Sequence, residues 1–392
     1  MSEIITYRLD EIADVIDCEH KTAPKVDSSD YYSIRTPDIK NGRLLYEQAN
    51  RVSAETYELW TKRGIPEAGD IILAREAPVG EVGWIDKDHK ICLGQRTVLI
   101  KIHSIEIDKK YLLYSFVSPK FKDYLNELSG GSVVAHLNMK DIRALEFSFP
   151  PLPEQKAIAS VLSSLDDKID LLHRQNKTLE AMAETLFRQW FIEEAKEDWE
   201  DGVLGDIASN VRVNATTESI KPDDIYIGLE HIERRHIALS QYGFGSDVSS
   251  NKSRFKKHDI LFGKLRPYFH KVCITPFDGI CSTDILVLRA KETVWTAFTL
   301  FAFFQDSVVE YANLASGGTR MPRADWGSLS QYPIAIPPVD LLHQFNDLVL
   351  PSIEKIHTNL VQIQTLENLR DTLLPKLISG EVRVQYQTEE VA

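Results

Sequence analysis

The side chains with chemical potential in this sequence are mainly cations, and several of them stand next to aromatic residues. The stretch "NKSRFKKHDILFGKLRPYFHKV", from Asn251 to Val272, has seven Lys and Arg residues against the single acid Asp259, with Tyr268 and Phe269 among them. Cations bind phosphate oxygens and aromatic rings stack on bases, so this composition is typical of nucleic-acid contacts.

Further cations, amides and imidazoles stand at corresponding places in both halves of the chain, in particular after the turns Ser129-Gly130-Gly131 and Ser316-Gly317-Gly318. Arg, Lys, Asn and His are the side chains that read base edges and phosphates. The candidate DNA-binding residues are Arg35, Arg43, Arg75, Arg96, His136, Asn138, Lys140, Lys252, Arg254, Lys264, Arg266, Lys271, Arg320 and Arg323.

No catalytic motif accompanies these cations. The sequence lacks the GxxxxGK[ST], HExxH and GxSxG patterns and the Asn-Pro-Pro-aromatic motif of adenine methylases. None of the four cysteines forms a CxxC pair. A loose nuclease-like pattern, Pro37-Asp38 with Asp88-His89-Lys90, has no counterpart in the second half. We therefore expect no catalytic and no metal-binding residues.

The chain is an internal repeat. Ser129-Gly130-Gly131 recurs 187 residues later at Ser316, and Pro150-Pro151 recurs at the same offset as Pro337-Pro338. Upstream the offset changes, since "GDIILAREAPVG" resembles "HDILFGKLRPYF" at an offset of 189. A fixed period of this kind is the signature of repeated structural units.

Each copy has the same order of predicted elements. Short β-rich runs ("DIILA", "TVLIKI", "DILFG", "DILVLRA") are separated by turn residues. A helical stretch then ends on glycines, a short strand leads into Pro-Pro, and a long helix follows. Each body is therefore predicted to be a mixed α and β domain.

Two long helices carry apolar residues at heptad spacing. Pro375 is predicted to end or kink the second helix. The predicted seam consists of Ile158, Leu162, Leu165, Ile169, Leu172, Asn176, Leu179, Leu186, Ile356, Leu360, Ile363, Leu366 and Leu373. The first helix leads away from body one and the second leads back, so we expect an antiparallel intramolecular pair, with a homodimeric coiled coil as the alternative.

The predicted fold class is α+β (α/β), with two related domains separated by two long antiparallel coiled-coil helices in a pseudo-two-fold internal repeat. The predicted boundaries are residues 1–150 for the first domain, 151–198 for the central spacer helix, 199–337 for the second domain, and 338–392 for the C-terminal spacer helix and tail.

Bulk properties suit an intracellular protein of two or three domains. The 392 residues include few cysteines and no signal peptide, which predicts the cytoplasm. The net charge of −13 opposes phosphate binding, but residues 201–337 balance to zero, so local basic patches are compatible with it.

The stretch "FPPLPEQKAIASVLSSLDDKIDLLHRQNKTLEAMAETLFRQWF" resembles the central region of specificity (S) subunits of type I restriction–modification enzymes. "LENLRDTLLPKLISGEVRV" is similar to their C-terminal counterpart, and "GDIILAREAPVGEVGW" and "DILFGKLRPYFHKV" are typical of them. The resemblance covers nearly the whole chain. One departure is "PPVDLLHQF", where the family favours Pro-Leu-Pro-Glu-Gln.

The resemblance implies a non-catalytic subunit whose two target-recognition domains each read one half of a bipartite, asymmetric target in double-stranded DNA. It also implies that the helices dock two DNA-methyltransferase (M) subunits, and that a restriction/translocase (R) subunit joins the complex. This chain would bind no cofactor, because S-adenosylmethionine would bind the methyltransferase partner. Two other interpretations remain open, a structural coiled-coil adaptor and a nuclease fused to a recognition module.

Overall fold

The computed structural model describes residues 4–76, 78–87, 89–128, 136–316 and 321–385, apart from the side chains of Asn126 and Leu128. The chain divides into two compact units, residues 1–168 with 366–392 (unit 1) and residues 169–365 (unit 2). Each unit holds one mixed α and β body and part of both long helices, so the predicted repeat and fold class are confirmed. The domain boundaries given above stay a prediction.

The centre of unit 1 is a four-stranded antiparallel sheet in the order Ala13–Asp17, Thr97–Ile102, Ile71–Ala74 and Val82–Trp84. The predicted strands "DIILA" and "TVLIKI" are confirmed here. Every residue of Ile71–Ala74 is fully buried, which explains why this strand is uniformly apolar rather than alternating.

The other elements of unit 1 surround this sheet. The smaller sheets pair Ile5–Arg8 with Glu146–Phe149, Tyr31–Ile34 with Asn50–Val52 and Lys90–Leu93, and Ile39–Lys40 with Arg43–Leu44. The short helices are Leu9–Ile12, Ala54–Trp60, Lys109–Val117, Pro119–Leu128 and Met139–Arg143.

Unit 2 repeats this topology. Its four-stranded sheet has the order Ala208–Asn210, Ile285–Ala290, Ile260–Gly263 and Val272–Ile274, and Glu200–Val203 pairs with Pro333–Ile336. A five-stranded sheet follows the order Val213–Ala215, Lys252–Phe255, Gly279–Cys281, Ile225–Ile227 and Gly243–Phe244. The short helices are Leu204–Ile207, Thr296–Phe304, Asp306–Ala315 and Trp326–Leu329.

The helical stretch predicted in each copy is in fact two helices. In unit 1 the break falls at Ser118, whose ψ of 143° is extended because Pro119 follows it. In unit 2 the break falls at Gln305, with a ψ of 137° and no proline to signal it. The glycines predicted to end these helices, Gly130, Gly131, Gly317 and Gly318, lie outside the described residues.

The first long helix spans Leu152–Arg188 and continues into a π-helical turn at Gln189–Glu193, and the second spans Val339–Ile378. Pro375 was predicted to end or kink the second helix. It does not end the helix, which continues for three more residues to Ile378.

In unit 1 the two helices pack through the predicted seam residues Ile158 and Leu162, which are buried in one core with Leu374 and Leu377. Asp166 of the first helix accepts hydrogen bonds from Tyr114 Oη (2.7 Å) and Arg370 Nη1 (3.0 Å). Burial and this carboxylate raise the pKa of Tyr114. The helices are therefore antiparallel within this unit, since residue numbers rise along one as they fall along the other.

In unit 2 the seam contains a pair of buried amides. Asn176 was a predicted seam residue, whereas its partner Asn359 was not. Asn359 Nδ2 donates to Asn176 Oδ1 at 2.7 Å and to Gln175 Oε1 at 3.0 Å. Of the other predicted seam residues in the two units, four are buried, namely Ile169, Leu172, Ile356 and Ile363, and six are partly buried, namely Leu165, Leu179, Leu186, Leu360, Leu366 and Leu373.

Toward the end of the first helix the buried positions are Ala183, Phe187 and Phe191, whereas the heptad spacing runs from Ala183 to Leu186 and Trp190, which are only partly buried. A straight helix of 3.6 residues per turn drifts away from a 3.5-residue repeat, so the buried stripe moves by one residue. The rings of Phe187 and Phe191 then pack against Phe298 and Phe345 at centroid distances of 4.9–6.0 Å.

Each four-stranded sheet also holds one buried carboxylate at an equivalent place. Asp70 in unit 1 lies 3.7 Å from Lys101 Nζ, and Asp259 in unit 2 accepts two hydrogen bonds from Arg289, both at 2.7 Å. Burial raises the pKa of Asp70, and the hydrogen bonds that Arg289 donates to Asp259 raise the pKa of Arg289.

Candidate nucleic-acid interface

The structure brings together three of the candidate residues of unit 1 where the strand Ile71–Ala74 ends. Arg75 N–H donates to the Arg96 carbonyl at 3.0 Å, and Leu137 N–H donates to the Arg75 carbonyl at 3.0 Å. A β-bridge joins Glu76 to His136. We call this arrangement the unit 1 bridge.

An ion network fixes the side chains of the unit 1 bridge. Arg75 Nη1 lies 3.0 Å from Asp17 and its Nη2 lies 3.1 Å from His136 Nε2. Glu76 joins His136 Nδ1 (2.7 Å) to Arg96 Nε (2.8 Å). Because a guanidinium can only donate, its hydrogen bond to His136 requires Nε2 to accept, and Nδ1–H then donates to Glu76.

Exposure separates the roles of these residues. The side chain of Arg75 is only 11% exposed, so it positions its neighbours. The Arg96 side chain is 53% exposed and projects from a backbone with φ of +69°, a region that non-glycine residues rarely occupy. Arg96 is therefore the cation of this network best placed to meet a ligand.

The group Asp17, Cys18 and His20, beside this network, has ligand atoms within 4.8 Å of one another. Arg75 already lies against Asp17, and Cys18 is buried. A bound guanidinium in this position opposes a metal cation.

Unit 2 builds the same arrangement from different residues. Lys264 N–H donates to the Asp284 carbonyl at 3.0 Å, and Ala324 N–H donates to the Lys264 carbonyl at 2.8 Å. A β-bridge joins Leu265 to Arg323. Arg323, 59% exposed, lies 3.4 Å from Asp284. We call this the unit 2 bridge.

Arg266 follows the unit 2 bridge directly, and its N–H donates to the Pro322 carbonyl at 2.8 Å. Asn138 and Lys140 lie immediately after the unit 1 bridge, where Asn138 Nδ2 donates to Asp141 at 3.2 Å and Lys140 is exposed. Arg320 lies outside the described residues.

The remaining candidates lie away from the bridges and have partners of their own. Arg35 makes a bidentate pair with the buried Asp38, whose hydrogen bonds raise the pKa of Arg35. Arg43 lies 3.6 Å from Asp166. Arg254 donates to the Ser219 carbonyl at 2.8 Å.

Lys252 and Lys271 are the least accessible of these. Lys252 is buried, with Nζ 2.7 Å from Ser250 Oγ. Lys271 Nζ donates to the Leu229 carbonyl, and burial beside Arg234 lowers its pKa. Composition alone gave no signal for these internal partners.

The nuclease-like pattern is only partly described. Asp38 is the buried partner of Arg35 and also accepts from the Arg35 backbone N–H at 2.9 Å, which accounts for it structurally. Asp88 lies outside the described residues.

A second equivalence between the units was not predicted from the sequence. Tyr32 is in register with Ile91 and Tyr226 with Ile280, in matching parallel strand pairs. Arg51 lies 3.8 Å from the centre of the Tyr32 ring, and Lys252 lies 5.6 Å from that of Tyr226. The two isoleucines are separated by the repeat offset of 189, so the sequence does relate their strands. The two tyrosines are separated by a different number of residues, so this offset does not relate them to each other.

No helix among the described residues combines the length and apolar character needed to cross a membrane.

Comparisons with known proteins agree on one family. The profile described as "Type I restriction modification DNA specificity domain" matches residues 1–181. The chain is similar to the type I restriction enzyme MjaIX specificity subunit of Methanocaldococcus jannaschii, with 26% identity over 96% of this chain and 93% of that protein. It is also similar to the HindI specificity subunit of Haemophilus influenzae, with 22% identity over 89% and 94% of the two chains.

The fold is shared with a solved structure, the S subunit of a type I restriction–modification system from M. genitalium. The TM-score is 0.62 at 15% sequence identity, and the match covers 96% of each chain. At this identity the likeness concerns the fold.

Proposed function

We propose, because this chain belongs to the family of type I restriction–modification specificity subunits, that it reads a bipartite and asymmetric DNA target with one body per half-site. It is a specificity subunit and not a catalytic one. The observation that carries the proposal is the recurrence of the bridge in both units, with Arg75, Arg96 and His136 in one and Lys264 and Arg323 in the other. One framework with unlike side chains suits two unlike half-sites.

The proposed partners are two methyltransferase subunits and a restriction/translocase subunit, with S-adenosylmethionine bound by the methyltransferase. The long helices supply a surface for docking. Leu171 and Met182 of the first helix are both more than half exposed, and their separation of 11 residues, about three turns, puts them on one face. We place the complex in the cytoplasm with the genomic DNA.

Adenine-methylation mapping of the host genome, with and without this gene, tests the proposal. We expect deletion to remove methylation from one motif made of two short blocks around a fixed gap. If no motif is lost, the next step is to test whether a methyltransferase subunit co-purifies with this chain. If one does and every motif is still methylated after the deletion, this chain does not select the target. If none does, the proposed partners are wrong.

Lys264→Ala is expected to weaken binding to the mapped target roughly tenfold, since one charge-assisted contact to phosphate is lost. The dependence of log K on log salt should fall by about one unit. The measurement is fluorescence anisotropy of a labelled duplex over a salt series. Lys291→Ala is the matched control. Asp284 of the unit 2 bridge directly precedes the strand Ile285–Ala290, whereas Lys291 directly follows this strand and so lies at its opposite end. Equal loss in both variants would contradict a specific role for Lys264.

A further inference from the structure

A strained turn in unit 2 holds an aromatic side chain in solvent. Pro267–Phe269 forms a single 3₁₀ turn whose flanking residues both have left-handed backbone, with φ of +53° at Arg266 and +50° at His270. Non-glycine residues adopt this conformation only when the surroundings enforce it, and it costs about 1 kcal/mol or more each time.

Backbone hydrogen bonds on both flanks and one buried imidazole enforce it. The Arg266 N–H is held by the Pro322 carbonyl, and the His270 carbonyl accepts from Arg235 N–H at 2.9 Å. The His270 ring is buried, its Nδ1 lies 3.1 Å from Asp306, and it packs on Phe304 at a centroid distance of 4.6 Å. Burial lowers the pKa of His270, so it is neutral at pH 7.

The rigid turn presents two aromatic rings. Tyr268 is 51% exposed and lies edge-on to Phe269 at a centroid distance of 4.7 Å. The Arg234 guanidinium covers the Phe269 ring at 4.0 Å. Phe269 thereby contacts both Arg234 and Tyr268, and it supports Tyr268 in an exposed position.

The turn lies next to the unit 2 bridge in the chain. It follows the unit 2 bridge by one residue, since Leu265 pairs with Arg323 and Arg266 starts the turn. The exposed ring therefore follows a segment that carries the cations Lys264 and Arg266. Unit 1 has Val79-Gly80 at the positions that correspond to Tyr268-Phe269, so the feature belongs to unit 2 alone.

We propose that Tyr268 is a wedge residue that inserts its ring at a base step of the half-site read by unit 2. This inference rests on the proposed function and adds how one half-site is chosen. Inserted side chains unstack a base step and kink the duplex, and flexible pyrimidine–purine steps pay the smallest deformation energy. Unit 2 therefore selects a half-site containing such a step, while unit 1 reads its half-site without a wedge.

The test uses the full chain with the methyltransferase subunits that co-purify with it, and duplexes of the mapped target with 2-aminopurine at successive positions. We expect wild-type protein to raise the fluorescence at one step in the unit 2 half-site. Tyr268→Ala should abolish this rise and weaken binding roughly ten- to a hundredfold, whereas Tyr268→Phe should retain both. Tyr242→Ala is the control, because Tyr242 is 48% exposed in the same unit.

The outcomes separate the two proposals. If wild-type complex binds no duplex with preference, the proposed function fails. If it binds the target and Tyr268→Ala binds equally well, the wedge is overturned and the function stands. If Tyr268→Ala binds more weakly but 2-aminopurine fluorescence never rises with wild type, Tyr268 contacts a base edge without insertion, and the wedge is again overturned.

Discussion

We expect four residues inserted into each long helix, at positions that face each other, to lengthen the gap between the two blocks of the methylated motif by one or two base pairs. The insertions go directly after Asn176 and directly before Asn359, which are paired in the wild-type seam. Four residues add about 6 Å of helix and a rotation of about 40° beyond a full turn. One base pair advances ~3.4 Å and turns roughly 35°, so both quantities match a gap change of this size.

Both helices must be lengthened together for this result. An insertion in one helix alone would bring a different side chain opposite Asn359 and leave a buried amide without its partner, which costs about 1–3 kcal/mol. The readout is the methylated motif in cells that carry the variant as the sole copy.

A matched control places four residues between Ala195 and Lys196. Both are exposed and lie between the first long helix and the strand Glu200–Val203. This insertion lengthens the chain by the same amount without lengthening a helix, so the motif should not change. An unchanged gap in the double-helix variant, or an equal change in the control, would show that the helices do not set the gap.

The elements that sequence analysis predicted are those whose signal is local. Ile71–Ala74 and Ile260–Gly263 are uninterrupted apolar runs bounded by turn residues, and both are central strands. The long helices follow from periodicity sustained over more than thirty residues. The break at Gln305 could not be predicted, because no proline or glycine marks it in the sequence.

The candidate site was less predictable because its partners are distant in the sequence. Arg75 and Asp17 are 58 residues apart, and Arg75 and His136 are 61 apart. A pattern of cations identifies residues able to bind phosphate, but only the fold shows that Arg75 is committed to an internal network while Arg96 remains accessible. The same limit explains Lys252, which composition placed on the surface and the structure buries.

The last prediction concerns the buried carboxylate of unit 2. Arg289→Met is expected to lower the free energy of unfolding by about 3–5 kcal/mol, because it leaves an uncompensated charge inside the protein. Asp259 is 1% exposed, so it cannot recover hydration where it stands. Among the described residues, the remaining hydrogen-bond donor to its carboxylate would be Lys256 N–H, at 2.7 Å.

Urea unfolding followed by tryptophan fluorescence measures this effect, and Trp190, Trp199, Trp295 and Trp326 all lie in unit 2. Lys101→Met in unit 1 is the natural control. Its ammonium is 3.7 Å from Asp70 and closer to the exposed Glu67, at 2.7 Å, so we expect a loss of about 1–2 kcal/mol.

The sign of the coupling decides whether charge is the cause. Asp259→Asn combined with Arg289→Met replaces the buried carboxylate with a neutral amide, so the double variant should be more stable than Arg289→Met alone. If the losses simply add, the Arg289 side chain stabilises unit 2 through its packing and not through neutralisation of Asp259. If the double variant is instead more stable than Arg289→Met alone, the buried carboxylate of Asp259 requires the positive charge of Arg289 for the stability of unit 2.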